Sequence, residues 1–257
     1  MAFRFASLGS GSRGNATLVE AGGTSLLIDC GFAAREFAAR CAVLDFEPQR
    51  LSAILVTHEH GDHMRGVGTV ARRFGIPVWM THGTWRAADF GSIAHLRLFA
   101  GHAGPFRIGE LEVTPVPVPH DAREPTQFVF DHQGARLGVL TDLGSITQRV
   151  VDAFDGVDAL LLECNHDPGM LRAGPYPPHL QARVGGRFGH LNNDQAADFL
   201  RRINHRRLRH LVAGHLSEKN NSPELARQSL RAVSAELTDC LNLLIQDRAS
   251  GWFAIAP

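Results

Sequence analysis

The sequence predicts an α/β fold, a layered sandwich built as a single domain over residues 1–257. Three observations carry that prediction. Short apolar runs of strand length recur through the first 165 residues. Helical patterns are interleaved with them. No repeat, linker or low-complexity segment divides the chain, whose length is enough for one substantial core.

In order, Phe3 to Leu8, Ala16 to Glu20 and Thr24 to Asp29 read as strands, joined by Gly-rich turns at Gly9–Gly14 and Gly22-Gly23. Ala33 to Val43 has helical spacing. Leu51 to Val56 is a buried strand that ends on a His-rich run. Val67 to Phe74 is helical and Ile76 to Met80 is a strand. Leu96–Ala100, Leu111–Val118, Gln127–Asp131, Leu137–Thr141 and Ala159–Glu163 are further strands. Residues 165–192 are rich in Gly, Pro, His and Arg without periodicity, and read as a long irregular segment of the kind that carries function. Asn193 to His205 is a helix with early aspartates and late arginines, which suits the macrodipole. Leu208–Ala213 is a strand. Ser222-Pro223-Glu224 opens a helix to about Leu237, with serine at the N-cap and proline at N1. Leu241–Ile245 and Trp252–Ile255 close the chain as strands.

Composition narrows the class. The chain is 44% hydrophobic and 20% charged with zero formal net charge, so bulk electrostatics favours neither nucleic acid nor membrane. Lys219 is the only lysine, so nearly all cations are arginines, which fork well onto phosphates; a GC-rich coding sequence gives the same bias. Cys30, Cys41, Cys164 and Cys240 form no C-x-x-C pair and read as reduced and buried. The stretch Met1-Ala2-Phe3-Arg4-Phe5 lacks the basic and apolar regions of an export signal. No run approaches 18 apolar residues, so no membrane association is expected and the cytoplasm is the expected location.

The chemistry concentrates in Thr57-His58-Glu59-His60-Gly61-Asp62-His63. Three imidazoles and two carboxylates within six residues follow a buried strand, which places them on a loop at a sheet edge. These are ligand types for zinc, manganese and iron. The run is not the helical zincin motif, because the residue four after His58 is Asp62. On a loop, His58 and His60 can serve one ion while Asp62 and His63 serve a second. Further ligands must come from elsewhere. His120, Asp142 and His215 each stand as a lone polar residue after a buried run, in Val-Pro-Val-Pro-His, Leu-Thr-Asp-Leu-Gly and Val-Ala-Gly-His-Leu-Ser. Taken singly, each is more often a satisfied cap or turn residue.

Thr-His-Glu-His-Gly-Asp-His resembles the H-x-H-x-D-H signature of the metallo-β-lactamase superfamily. Asp29, after Leu26-Leu27-Ile28, matches its first motif, and His120, Asp142 and His215 match its third, fourth and fifth, in order along the whole chain. The resemblance implies an αββα sandwich of two mixed sheets flanked by helices, with two divalent metal ions (Zn, Mn or Fe) at one edge. It implies His58, His60 and His120 on the first metal, Asp62, His63 and His215 on the second, and Asp142 bridging. It also implies that Asp29 orients the loop by hydrogen bonds.

Further segments resemble the YycJ/WalJ-type branch, described as DNA exonucleases. Ser7-Leu8-Gly9-Ser10-Gly11-Ser12-Arg13-Gly14-Asn15, Glu163-Cys164-Asn165-His166-Asp167, Gly174-Pro175-Tyr176-Pro177 with Gly189-His190-Leu191-Asn192-Asn193, and Gly214-His215-Leu216-Ser217-Glu218-Lys219-Asn220-Asn221 all match that branch; Asn192 stands where it more often has serine. The Gly/Ser hairpin is either a phosphate cradle of free amides and hydroxyls or a tight turn. Ser10, Ser12, Asn15, Asn165 and Asn193 are the candidate substrate contacts. Asp62 is the residue expected to hold the attacking water, and His166 or His190 to protonate the leaving oxygen. Arg13, Arg172, Arg183 and Arg187 lie nearest that wall. The run Arg201-Arg202, Arg206-Arg207 and Arg209 is either a DNA-backbone contact or a solvated helix end.

The leading reading is therefore a dinuclear phosphodiesterase acting on DNA from a 5′ end, with DNA as partner. The chain is too short for the inserted domain of the β-CASP nucleases. A thioester, lactam or cyclic-phosphate hydrolase is the rival enzyme, since the fold hosts all of these. A metal-bound sensor or scaffold would be expected to have lost part of this ligand set.

Overall fold

The computed structural model describes residues 3–256. Met1 and Ala2, at the start of the stretch read for an export signal, and Pro257 lie outside it. Two seven-stranded sheets face each other. The first is ordered β14-β1-β2-β3-β4-β5-β6 and the second β13-β12-β11-β10-β9-β8-β7. The first comprises β1 (Phe3–Gly9), β2 (Ala16–Ala21), β3 (Thr24–Ile28), β4 (Ala53–Leu55), β5 (Val78–Thr81), β6 (Leu96–Phe99) and β14 (Phe253–Ala256). The second comprises β7 (Phe106–Ile108), β8 (Leu111–Pro117), β9 (Thr126–His132), β10 (Ala135–Leu140), β11 (Ala159–Glu163), β12 (His210–Gly214) and β13 (Leu241–Leu243). Both sheets are mixed: β14 to β3 pair antiparallel and β3 to β6 parallel, and likewise β7 to β10 antiparallel and β10 to β13 parallel.

Sequence chemistry explains this division. Leu26-Leu27-Ile28, Ala53-Ile54-Leu55 and Leu160-Leu161-Leu162 are buried on both faces, as central parallel strands require. Between the sheets, Phe5, Val19 and Leu26 meet Phe128, Phe130 and Leu161 in one shared core. Two outer cores lie under the helices. On the first sheet, α1 (Ala34–Ala42) and α3 (Val67–Phe74) cover Leu18, Leu27 and Ile54. On the second, α5 (Gln148–Phe154), α8 (Asn193–Arg202) and α9 (Pro223–Arg231) cover Leu140, Leu160 and Leu211. The result is the αββα sandwich. The remaining helices are short: α2 (Gly61–Met64), α4 (His82–Ala87), α6 (Pro168–Ala173), α7 (Pro178–Val184) and α10 (Leu237–Cys240). No described helix is long and apolar enough to cross a membrane.

Several expectations shift. Residues 165–192 are not irregular throughout, because they contain α6 and α7. Asp167 caps α6, its side chain accepting from Met170 N at 2.7 Å, with Pro168 at the first helical position. The helix expected to reach His205 stops at Arg202, since Ile203 turns extended and is buried while Asn204 N donates to Asp155. The helix expected to reach Leu237 breaks after Arg231, where Ser234 Oγ accepts from the backbone of Glu236 and competes with the helical pattern. The His-rich run is not wholly a loop: Gly61–Met64 makes one helical turn. Short α4, α5 and β7 were not expected.

Candidate metal centre and cleft

The site forms where strands end. Asp29 follows β3, Thr57 and His58 follow β4, and His120, Asp142 and His215 follow β8, β10 and β12. In the second sheet β8, β10 and β12 run in the same direction, so their C-terminal ends share one edge. Asp29, Asp142 and His215 all have left-handed backbone, at φ 59°, 54° and 55°. Non-glycine residues seldom adopt it, and it turns each side chain out of the pleat into the site. Gly31 lets the chain pass close under the His-rich turn, because a Cβ there would collide with the Asp62 carbonyl.

Hydrogen bonds fix the ring tautomers. Thr57 Oγ1 has one proton, which it donates to Asp29 Oδ2 at 2.8 Å. Facing His58 Nδ1 at 2.9 Å, it must therefore accept, and His58 Nε2 is left bare. His60 Nε2 donates to the Asp121 carbonyl (3.2 Å) and His120 Nδ1 to the Gly189 carbonyl (3.0 Å), leaving His60 Nδ1 and His120 Nε2 bare. Those two nitrogens face each other at 3.2 Å. Three bare ring nitrogens thus converge, and their ligand atoms lie within 4.8 Å of one another. His58 Nε2 is buried and makes no hydrogen bond. Lone pairs turned together are costly unless a cation lies between them, most of all at the sealed His58 Nε2, so the donor set fits a metal ion.

A second set stands beside it. His63 donates from Nδ1 to Asp29 Oδ2 (2.8 Å), and its Nε2 lies 3.3 Å from Asp142 Oδ2 and 3.5 Å from Asp62 Oδ2. His215 Nε2 lies 3.8 Å from Asp62 Oδ2, and its Nδ1 lies 3.1 Å from Asp142 Oδ1. Asp142 belongs to clusters with both sets, and its buried Oδ2 makes no hydrogen bond. Charges follow this geometry. Burial opposes ionisation of Asp62, but the neighbouring His63 outweighs it and lowers the carboxyl to about 2. Burial likewise opposes a charge on Asp142, yet His215 and His63 hold its carboxyl well below the usual range. Burial keeps His58 and His120 in the neutral form that ligates.

Glu163, for which the sequence reading gave no role, lies beneath. Fully buried at the end of β11, it accepts from His190 Nδ1 (2.7 Å) and, at its other oxygen, from the amides of Leu143 (3.2 Å) and Leu191 (3.0 Å). Although Glu163, His190, His215 and Asp142 cluster, the Glu163 oxygens are already used, so it anchors His190 rather than a metal. Burial opposes a charge on His190, but Glu163 raises the ring to about 9. The signal was present in the sequence, since Ala-Leu-Leu-Leu-Glu closes an apolar strand on a carboxylate as β3 does.

His60, Asp62, Asp142, His190 and His215 floor a cleft of about 370 Å³, walled by Ser12, Asn165, Tyr176, Leu180, Arg183 and Val184. Asn165 also donates to the His215 carbonyl (3.1 Å). Other expected contacts lie elsewhere. Asn193 is buried in a reciprocal amide pair with Asn221, 2.9 Å each way, and does not reach the cleft. Ser10 Oγ accepts from His215 N (2.8 Å), and Asn15 binds Gly11 and Asp62, so both brace the site. In the hairpin the amides of Gly11, Arg13, Gly14 and Asn15 are engaged within the protein, so they brace the turn. His166 is buried away from the cleft, and burial lowers its ring to about 4, which does not suit a proton donor. Arg13 is tied to Glu218 and Asp247. The Arg201–Arg209 run precedes β12, at the far end of that strand from His215, and Arg207 pairs there with Asp158.

A beta-lactamase superfamily domain matches residues 24–215. The exodeoxyribonuclease YycJ of Bacillus anthracis is 35% identical over 239 residues, 92% of this chain and 90% of the relative. The exodeoxyribonuclease WalJ of Streptococcus pneumoniae is 32% identical over 233 residues, 89% of this chain and 87% of the relative. Among solved structures, the metallo-β-lactamase-fold protein YhfI of Bacillus subtilis superposes with a TM-score of 0.73 at 15% identity, covering 97% of this chain and 100% of that one, a likeness of fold alone. The chain belongs to the metallo-β-lactamase superfamily, in the branch that holds YycJ and WalJ.

Proposed function

We propose that this chain is a dinuclear metal-dependent phosphodiesterase that removes nucleotides from the 5′ end of DNA, acting as one domain. The observation that carries the metal reading is the convergence of ligand atoms: bare His58 Nε2, His60 Nδ1 and His120 Nε2 on one side, His63, His215 and Asp62 on the other, with Asp142, whose buried Oδ2 is unpaired, between. His58, His60 and His120 would hold one ion, Asp62, His63 and His215 the other, and Asp142 both. Bound there, zinc, manganese or iron would supply Lewis-acid polarisation of the phosphoryl group and a nucleophile at neutral pH. Asp62, ionised at the cleft floor, orients the attacking water. His190, held protonated by Glu163, gives its proton to the leaving oxygen. DNA as substrate is supported by the names of the two relatives that align along most of the chain. Cytoplasmic action is supported by four cysteines that are all free.

A substrate panel tests the reading: labelled single- and double-stranded DNA, RNA, a thioester and a β-lactam, each with Mn²⁺ and with Zn²⁺. Early release of a 5′ label, abolished by chelator, is expected. Turnover of the thioester or lactam with no cut nucleic acid would replace it with the small-molecule reading.

A further inference from the structure

Resting on that reading, we propose that the cleft contains a stacking subsite for an unpaired nucleotide at a strand end, with Tyr176 as its platform and Arg183 as a phosphate contact. The chemistry above uses only the cleft floor. The opposite wall is α7 and the turn before it, and α7 buries none of its residues. Its apolar side chains instead line the cleft: Leu180 and Val184, four apart on one face of the helix, are joined there by Tyr176 from the turn before it. Tyr176 is the only tyrosine in the chain. Its carbonyl accepts from Gln181 Nε2 at 2.9 Å, which pins the turn that carries the ring.

Cations accompany these surfaces. Lys219 Nζ lies 5.8 Å from the Tyr176 ring centre. Arg183 donates from Nε to Asp121 (2.5 Å), which holds it over the cleft, and its terminal nitrogens have no partner among the described residues. Just before His190, Phe188 is 51% exposed, with the Arg187 guanidinium 5.3 Å from its ring centre. Aromatic faces with adjacent cations are how proteins hold single strands without reading sequence. The volume adds a constraint. The cleft, about 370 Å³, is at the low end for a ligand site and suits one nucleotide unit. The terminal nucleotide must leave its partner, which costs least when it is already unpaired.

The test uses two readouts. In the first, a single-stranded oligonucleotide carries 2-aminopurine at its 5′ end and is bound to chelator-treated protein. Stacking on Tyr176 should quench the fluorophore, with Tyr176→Phe retaining the quench and Tyr176→Ala and Tyr176→Leu losing it. In the second, Mn²⁺-loaded enzyme degrades DNA with an ordinary or an abasic 5′ nucleotide. Tyr176→Ala should raise KM roughly 5- to 150-fold on the ordinary end, move kcat far less, and add no loss on the abasic end. Overhanging 5′ ends should be cut faster than blunt ones, and Arg183→Ala should flatten the salt dependence by about one phosphate contact. Equal losses on ordinary and abasic ends, or wild-type kinetics and quenching in Tyr176→Leu, would overturn the subsite and leave the nuclease reading standing. Wild-type enzyme that cuts no nucleic acid would overturn both.

Discussion

Asp29→Asn is the most informative single substitution, because one buried carboxylate sets the tautomer of a ring at each of the two proposed metal positions. Asp29 Oδ1 accepts from Thr57 N, and Oδ2 accepts from both Thr57 Oγ1 and His63 Nδ1, all at 2.8 Å. In asparagine only the carbonyl can face the Thr57 amide, so the NH₂ must replace Oδ2. It then meets His63 Nδ1 as a donor, which favours a proton on Nε2, the atom needed for the second ion. It also donates to Thr57 Oγ1. That hydroxyl proton turns toward His58 Nδ1 and favours a proton on His58 Nε2, the atom needed for the first. A buried charge-assisted bond contributes about 1.5–3 kcal/mol, so each ion should bind roughly 10- to 150-fold more weakly. That range overlaps the 10–100-fold typical of groups that orient metal-ligating histidines. Stability should change little, since burial outweighs the surrounding partners and raises the Asp29 carboxyl, making its charge costly to keep. Competition with a chromophoric chelator measures both affinities, and ¹⁵N shifts of His58 and His63 report the tautomers. Unchanged affinity at both positions would refute the argument, and so would a loss confined to stability.

Elemental analysis of protein purified without chelator should find two ions per chain, and a ceiling of one after reconstitution would refute the paired site. Asp142→Ala and His60→Ala should each reduce hydrolysis to background with an unchanged circular dichroism spectrum, because both lie at element ends rather than within a core. His166 should make the fold acid-labile. Burial holds its folded pKa at about 4 against about 6.5 unfolded, so its contribution is complete above pH 6.5 and lost as pH falls toward 4. That gap corresponds to about 3 kcal/mol in denaturant titrations, which His166→Gln should largely abolish. His190 has the opposite sign. Its ring is raised to about 9, so in chelator-treated protein its contribution is complete below about pH 6.5 and lost as pH rises through 9; Glu163→Gln should flatten that loss.

Sequence pattern revealed the fold to the extent that strands were buried runs. Leu26-Leu27-Ile28 and Leu160-Leu161-Leu162 are legible because a strand covered on both faces needs continuous apolar residues. Elements held by tertiary contact were not. The ends of α8 and α9 are set by the burial of Ile203, the Asp155–Asn204 bond and Ser234, none of which leaves a periodic trace. α6 and α7 were legible in principle, since Asp167-Pro168 and Pro177-Pro178 are helix-start signals, but each helix is too short for periodicity to outweigh the glycines and prolines around it. Among the polar residues of the matching segments, the sequence could not separate those that touch the cleft from those that brace it. Asn165 lines the cleft and Asn193 is sealed against Asn221, yet both are asparagines in similar local contexts.

One rule connects the legible and illegible parts of the site. Asp29, Asp142, Glu163 and His215 are each a charged or ligating residue closing a strand or within two residues of its end, where apolar burial ends and water would otherwise begin. A carboxylate in that position with no functional partner would cost several kcal/mol to bury. Three of the four also adopt left-handed backbone, adding about 1–3 kcal/mol of strain each where a glycine would be relaxed. Selection for stability alone would remove both penalties. Hydrogen bonds satisfy Asp29 and Glu163, whereas Asp142 Oδ2 and the bare nitrogens of His58, His60 and His120 are left for a cation to satisfy. A general polar rim would not show the unpaired donors. This reasoning predicts that metal binding raises the melting temperature of the wild type substantially more than that of Asp142→Gly. Equal shifts in the two proteins would mean that the strained strand ends serve the fold and not the metals.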